Sequence, residues 1–244
     1  ALEELGITSR MVLNLCEEAR SRREISFFHG EIPILTFYPK SFDAGQLFLK
    51  RILDVAGATV GLAILAVLLP FAALAIKLDS PGPVFFGQER IGLNGRIFRC
   101  WKLRSMYADA EARKQELLAR NEMQGAIFKI SDDPRITRVG SFLRKSSLDE
   151  FPQFWNVLKG EMSLVGTRPP TPDEVAQYEN WHRRRISIKP GLTGLWQVSG
   201  RSQISDFDEI VRLDIEYIER WSLWLDLKIL LKTCWVVCAV RGAS

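Results

Sequence analysis

The chain has 244 residues, enough for one sizeable domain with an appendage, and is 47% hydrophobic and 25% charged with a mean hydropathy of −0.01. Its formal net charge of +4 suits anionic lipid or anionic substrates; no recognition-helix, zinc-finger or aromatic RNA-binding pattern supports nucleic acid as a partner. Four cysteines without framework spacing argue against a disulfide scaffold, and only His29 and His182 are present, too few for a histidine-based zinc site or a Ser-His-Asp triad.

Residues 1–43 read as a short α/β arm or the tail of a preceding domain: a helix over about 7–22, then strand-like runs at Ile25–Phe28 and Ile32–Tyr38, the second interrupted by Pro33. One helix and two strands bury too little to fold alone. Ala1 opens within helical sequence, so upstream sequence is expected. The second domain is expected over 44–244, with the boundary between Pro39 and Gly45.

Val55 to Ile76 carries no charge, between Lys50-Arg51 and Lys77. At ~1.5 Å per residue it is long enough for a bilayer core of ~30 Å. Pro70 predicts a kink or break, Gly57 and Gly61 weaken the helix, and cations on both flanks leave orientation undecided. A full crossing and a segment that returns to the same face are both open at this point.

Pro81-Gly82-Pro83 stops the helix. Val84–Arg90 and Arg96–Leu103 then flank Leu93-Asn94-Gly95, a hairpin signal. Lys102 and Arg104 on the second strand face an anion or serve as ordinary edge-strand cations. Tyr107 to Met123 reads as a charged helix without assigned chemistry, stopped at Gly125.

Ile136, Val139, Phe142 and Leu143 recur at helical spacing and lead into Arg144-Lys145-Ser146-Ser147-Leu148-Asp149-Glu150-Phe151-Pro152-Gln153. Ser147-Leu148-Asp149-Glu150 fits a capping box, and acids favour a first helical turn whether or not they react. The same carboxylates permit chemistry. One can attack phosphorus to form an acyl phosphate, and its neighbour can act as base or help hold Mg²⁺. A second helix is expected to run to Lys159 and stop at Gly160. Pro169 holds Arg168 extended, as a phosphate ligand or as the partner of Glu161 or Asp173.

Trp181-His182-Arg183-Arg184-Arg185 reads as a solvated basic face or a headgroup contact. Lys189-Pro190-Gly191-Leu192-Thr193-Gly194 and Ser199-Gly200-Arg201 form a glycine-bearing loop with basic ends, without Walker spacing. Ser205-Asp206 caps an amphipathic helix through Ile218. Trp221 to Val240, with three tryptophans and interspersed lysines, reads as an interfacial helix, with a buried core helix as the alternative.

Lys102-Leu103-Arg104-Ser105-Met106, Leu143 through Gln153, Asn156 through Pro169, Lys189 through Gly194, Gln197 through Arg201 and Trp224 through Lys228 together resemble the bacterial sugar transferases. These are monotopic polyprenyl-phosphate sugar-1-phosphate transferases, and the resemblance covers roughly 46–240. It implies a mainly α fold with a β-hairpin. The domain would be a membrane-associated monotopic catalytic unit with a re-entrant helix over about 50–78 and interfacial amphipathic helices. It implies transfer of sugar-1-phosphate from a UDP-sugar to undecaprenyl phosphate with release of UMP. Asp149 would be the nucleophile and, with Glu150, the Mg²⁺ ligand. Arg144 would hold phosphate, and Lys102, Arg104, Arg168 and Arg201 would line the nucleotide or lipid-phosphate site. It further implies the cytoplasmic face of a bacterial inner membrane and homodimers, as longer relatives tend to form. In the family the apolar helix breaks at a Ser-Pro pair, and here Leu69-Pro70 stands in its place. The alternative from another class is a catalytically silent membrane scaffold for polysaccharide assembly.

Overall fold

The computed structural model describes residues 22–28, 32–38, 43–113, 116–117, 130, 133–200, 204 and 206–238. The chain divides into two units, Ala1–Asp43 and Ala44–Ser244. In the first, β1 (Arg22–Phe28) and β2 (Ile32–Tyr38) pair antiparallel, with Pro33 opposite Phe27. The helix expected over about 7–22 lies outside the described residues, apart from Arg22, which opens β1.

The second unit is mainly helical and begins with α1 (Ala44–Asp79), which runs unbroken through Pro70. Of the kink or break expected at that proline, the break does not occur. A straight helix of this length spans about 54 Å, yet its start, middle and end all pack on one body. Near the start, Lys50 Nζ donates to Asp226 Oδ2 at 2.6 Å, and Arg51 donates to the carbonyls of Val157 and Leu158 at 2.8 and 2.7 Å. In the middle, a methyl on Gly61 would lie 2.4 Å from the Phe154 ring, and one on Gly57 2.6 Å from Leu164. The two glycines, one helical turn apart, thus let α1 approach closely; the pair is a small-xxx-small contact rather than a weak point. At the end, Ile76 is buried with Leu103 and Leu143, against Leu69 and Ala72. The opposite face leaves Val60, Val67, Phe71, Leu74 and Leu78 exposed.

β3 (Phe85–Ile91) and β4 (Ile97–Leu103) form the expected antiparallel hairpin. Asn94 and Gly95 take left-handed backbone at φ 55° and 81°, the conformation an Asn-Gly turn supplies at least cost. Side chains alternate across a strand, and the register places Arg90 opposite Phe98 and Gln88 opposite Cys100. Gln88, Arg90, Cys100 and Lys102 therefore share one face. The helix expected from Tyr107 to Met123 is not continuous: Ala108–Glu111 is a turn followed by a short 3₁₀ piece, and 118–129, including the expected stop at Gly125, lie outside the described residues.

α2 (Arg138–Lys145) and α3 (Gln153–Lys159) follow, the latter closed by Gly160 at φ 83°. β5 (Ser163–Val165) pairs in parallel with β6 (Gly191–Thr193). Between them lie α4 (Pro172–Ala176) and a 3₁₀ turn, His182–Ser187. α5 (Leu195–Val198), α6 (Phe207–Arg220) and α7 (Leu223–Cys238) complete the unit. Asp206 caps α6 with its own carboxylate, which accepts from Asp208 N at 3.1 Å; Ser205 lies outside the described residues.

The basic run at 182–185 is split: Arg183 and Arg184 are exposed as expected, whereas His182 and Arg185 are buried. Arg185 is fully buried, its Nε donating to Asp214 Oδ2 at 2.7 Å and its Nη1 to the Tyr178 hydroxyl at 2.8 Å. His182 is buried and lies 3.1 Å from Asp208 Oδ1. Charge density in the sequence resembles a solvated face because the distant carboxylates that partner it are invisible there. α7 is two-sided: Asp226 and Ile229 are buried, while Trp224, Leu227, Leu231 and Trp235 are exposed along one stripe.

Candidate active site

The site is assembled around the end of β4. Thr137 caps α2, its Oγ1 accepting from Gly140 N at 2.9 Å, while Thr137 N donates to Ser105 O at 3.1 Å. A methyl on Gly140 would fall 2.0 Å from that same Ser105 oxygen, so only glycine lets α2 seat here. One turn on, Arg144 Nε donates to Ser105 Oγ at 2.9 Å. Burial pulls the Arg144 pKa down, against the opposing charge of Asp149, the nearest acid in effect.

After α2 the chain reverses at Ser147, which adopts left-handed backbone at φ 56°. A non-glycine residue held there carries strain that its surroundings must overcome. Leu148–Glu150 then form a single 3₁₀ turn, and Ser147 makes no side-chain cap bond. The expected capping box is therefore absent, and α3 starts only at Gln153, after Pro152. The reversal has a clear result. Asp149 is buried, 6% exposed, on the Arg144 side, while Glu150 accepts from Lys102 Nζ at 2.7 Å.

Glu150 and Lys102 line an open cleft of about 130 Å³, smaller than the roughly 300–1,000 Å³ usual for small-molecule sites. Arg90 and Arg168 form its cationic wall, and Trp196 and Gln197 line it from α5. Arg168 is gripped by Glu174 through two bonds of 2.8 and 3.1 Å. Burial alone would lower the Arg168 pKa; the Glu174 carboxylate more than reverses this. Glu174, pushed up by burial, is held below the ordinary carboxylate value by Arg168 and then Arg90. Arg90 is brought down to about 10 by burial and by Arg168; it donates to Pro169 O at 2.8 Å and Gln88 Oε1 at 2.7 Å. The Cys100 thiol on the cleft wall is pushed up by burial. The arrangement offers two stiffly mounted guanidiniums and an ammonium to one anionic ligand, beside an adjacent carboxylate pair.

The model of the bacterial sugar transferase family matches residues 45–240. The chain belongs to the bacterial sugar transferase family. It is 49% identical to the galactosyl transferase CpsE of Streptococcus agalactiae serotype III, covering 100% of this chain and 54% of that protein. It is 41% identical to the undecaprenyl-phosphate galactose phosphotransferase of Salmonella typhimurium, covering 90% of this chain and 47% of that protein. The exopolysaccharide production protein ExoY of Rhizobium meliloti is 41% identical, over 80% of this chain and 87% of that protein. The chain thus spans about half the length of the first two relatives and nearly all of the third.

In this family member, Glu150, Lys102 and Arg168 line one cleft, while Arg144 and Asp149 neighbour each other beside Glu150 without lining it. Arg104 is elsewhere. It is buried, and its guanidinium donates to the carbonyls of Pro81 and Ser80, the latter at 2.6 Å, just past the end of α1. The expectation that it lines the substrate site is corrected: helix-end carbonyls left without amide partners take its donors instead. Arg201 lies outside the described residues. Arg168 does pair with an acid, though with Glu174 rather than Glu161 or Asp173. Arg90, Glu174 and Trp196 were not singled out from the sequence, and Gln197 only as the start of the stretch Gln197 through Arg201. Strand alternation links Arg90 to Lys102 once the hairpin register is known; nothing local marks Glu174 or Trp196. Among the described residues no group of three or more His, Cys, Asp or Glu gathers as a metal cage. Asp149 and Glu150 nevertheless fit Mg²⁺, which binds through one or two carboxylates plus water and substrate phosphate oxygens. Glu150 presents its carboxylate at the cleft, where it accepts from the Lys102 ammonium at 2.7 Å.

Proposed function

We propose that the protein transfers sugar-1-phosphate from a UDP-sugar to undecaprenyl phosphate, releasing UMP, at the cytoplasmic face of a bacterial inner membrane. The observation that carries this reading is the Asp149-Glu150 pair set between Arg144 and a cleft walled by Lys102, Arg90 and Arg168. The relatives' names, undecaprenyl-phosphate galactose phosphotransferase among them, supply the substrate class and make UDP-galactose the first donor to test. The exposed apolar face of α1, with both helix ends packed on the same body, supports a segment that stays on one side of the membrane rather than crossing it; re-entry would require a bend at Pro70. The tryptophan stripe of α7 supports contact with the interface.

The chemistry divides into two displacements at one phosphorus. An Asp149 carboxylate oxygen attacks the β-phosphorus of the donor; the phosphorus–oxygen bond to UMP breaks and UMP departs with the electron pair. An oxygen of the lipid phosphate then attacks the same phosphorus, and the bond to Asp149 breaks, returning the carboxylate. Arg90, Arg168 and Lys102 hold the diphosphate and offset charge on the leaving phosphate. Glu150 accepts the proton of a monoprotonated lipid phosphate, and Arg144 steadies the transferring phosphoryl oxygens. Mg²⁺, held by Asp149 and Glu150, would neutralise the diphosphate and stabilise the leaving phosphate.

The test uses the full chain in detergent with undecaprenyl phosphate, Mg²⁺ and a panel of UDP-sugars, following UMP. UMP is expected from at least one donor and is expected to be lost in Asp149→Asn. No UMP from any donor, or full turnover in Asp149→Asn, rejects the reading.

A further inference from the structure

Among the described residues, two of the four buried side-chain polar atoms without a hydrogen-bond partner belong to adjacent residues, Trp196 Nε1 and Gln197 Oε1. Both side chains line the cleft that holds Glu150 and Lys102. Trp196 is only 6% exposed, so solvent does not easily satisfy its indole N–H. Gln197 Nε2 is engaged with Leu192 O at 3.4 Å, which orients the amide and leaves its oxygen as the open acceptor. Buried polar groups in native proteins are nearly always paired. An unpaired buried donor and an unpaired buried acceptor, on adjacent residues that both line the cleft, therefore mark a ligand edge with the complementary pattern.

We infer that Trp196 and Gln197 form the pyrimidine-recognition subsite of this cleft, with uracil as its ligand. The indole N–H donates to a carbonyl oxygen of the base, and Gln197 Oε1 accepts from the adjacent ring N–H. An imide edge carries an acceptor next to a donor in one plane, which matches this pair; a phosphate, with acceptors alone when ionised, leaves Gln197 unsatisfied. The cationic side chains on the same cleft take the diphosphate, so base and phosphates have separate partners. The assignment rests on the proposed use of a UDP-sugar.

The test titrates the full chain in detergent with UDP and, separately, with inorganic diphosphate. Gln197→Met removes the acceptor, and Trp196→Phe removes the donor while keeping an aromatic ring. Each variant is expected to weaken UDP by roughly tenfold, the scale of one lost hydrogen bond, and to leave inorganic diphosphate unchanged. Trp196 packs with Tyr178 and Phe207 in the core, so Gln197→Met decides the matter if Trp196→Phe melts early. Unchanged UDP affinity overturns the assignment, as does equal weakening of UDP and diphosphate. Unchanged UDP affinity with impaired turnover of UDP-sugars moves the pair to the sugar hydroxyls and also overturns it. In each of these cases a wild type that still releases UMP leaves the transferase reading standing. A wild type that neither binds UDP nor releases UMP removes both.

Discussion

Glu174→Gln isolates the device that stiffens the cationic wall. Glu174 is 7% exposed at its side chain and grips Arg168 at 2.8 Å, with Arg90 at 3.9 Å. At a charge separation of about 4 Å and an effective dielectric near 20, the Arg168 attraction alone is worth ~4 kcal/mol. The amide keeps the shape and one acceptor, recovering about 1 kcal/mol. The expected loss is therefore about 3 kcal/mol, in line with breaking a buried pair from one side. For a chain of this size that lowers the melting temperature by roughly 6–12 °C. The pH dependence follows from linkage. Glu174 has a folded pKa below its ordinary 4.5, so its contribution is complete above that value and fades as pH falls through the depressed folded value. Thermal melts of wild type and variant should differ fully at neutral pH and converge in acid below that range. A gap under about 1 kcal/mol at neutral pH, or one that persists unchanged in acid, refutes the clamp.

Three further perturbations test the placements. Arg104→Met strips the donors from the carbonyls that follow α1 and should cost about 1–3 kcal/mol in a melt, with UDP affinity unchanged; a large affinity loss at unchanged stability returns Arg104 to the substrate site. Gly140→Ala forces a methyl toward Ser105 O and should destabilise by about 1–3 kcal/mol, with weakened UDP-sugar turnover because α2 carries Arg144; a neutral result shows that α2 has room to shift. Asp226→Asn weakens an acceptor shared by Lys50, Tyr217 and Trp221 at 2.6, 2.7 and 3.2 Å and should cost about 3 kcal/mol, measured by melting in detergent; a change within 0.5 kcal/mol, the usual range of a surface substitution, refutes its role in tying α1 to α7.

Local signals in the sequence were enough for the hairpin, because Asn-Gly dictates its turn and alternation its faces. They were enough for the end of α3 at Gly160 and for the apolar length of α1. They misled at Ser147 and at Arg185. In the first case a capping pattern competes with a backbone reversal that only the packing of α2 against β4 imposes. In the second, Arg185 looks solvated until Asp214, far along the chain, folds onto it.

Residue type and short-range spacing by themselves determine which groups are available: two adjacent acids, several cations and an apolar segment too long and too uniform for an ordinary surface. Tertiary structure decides which of those groups meet. It removes Arg104 to a helix end, places Arg90 and Glu174 on the cleft beside Arg168, and opens Trp196 and Gln197 toward the same space as Glu150. The physical reason is that a side chain's role depends on its partner. Partners separated by tens of residues are set by strand register, close glycine contacts and chain reversals that no local window contains.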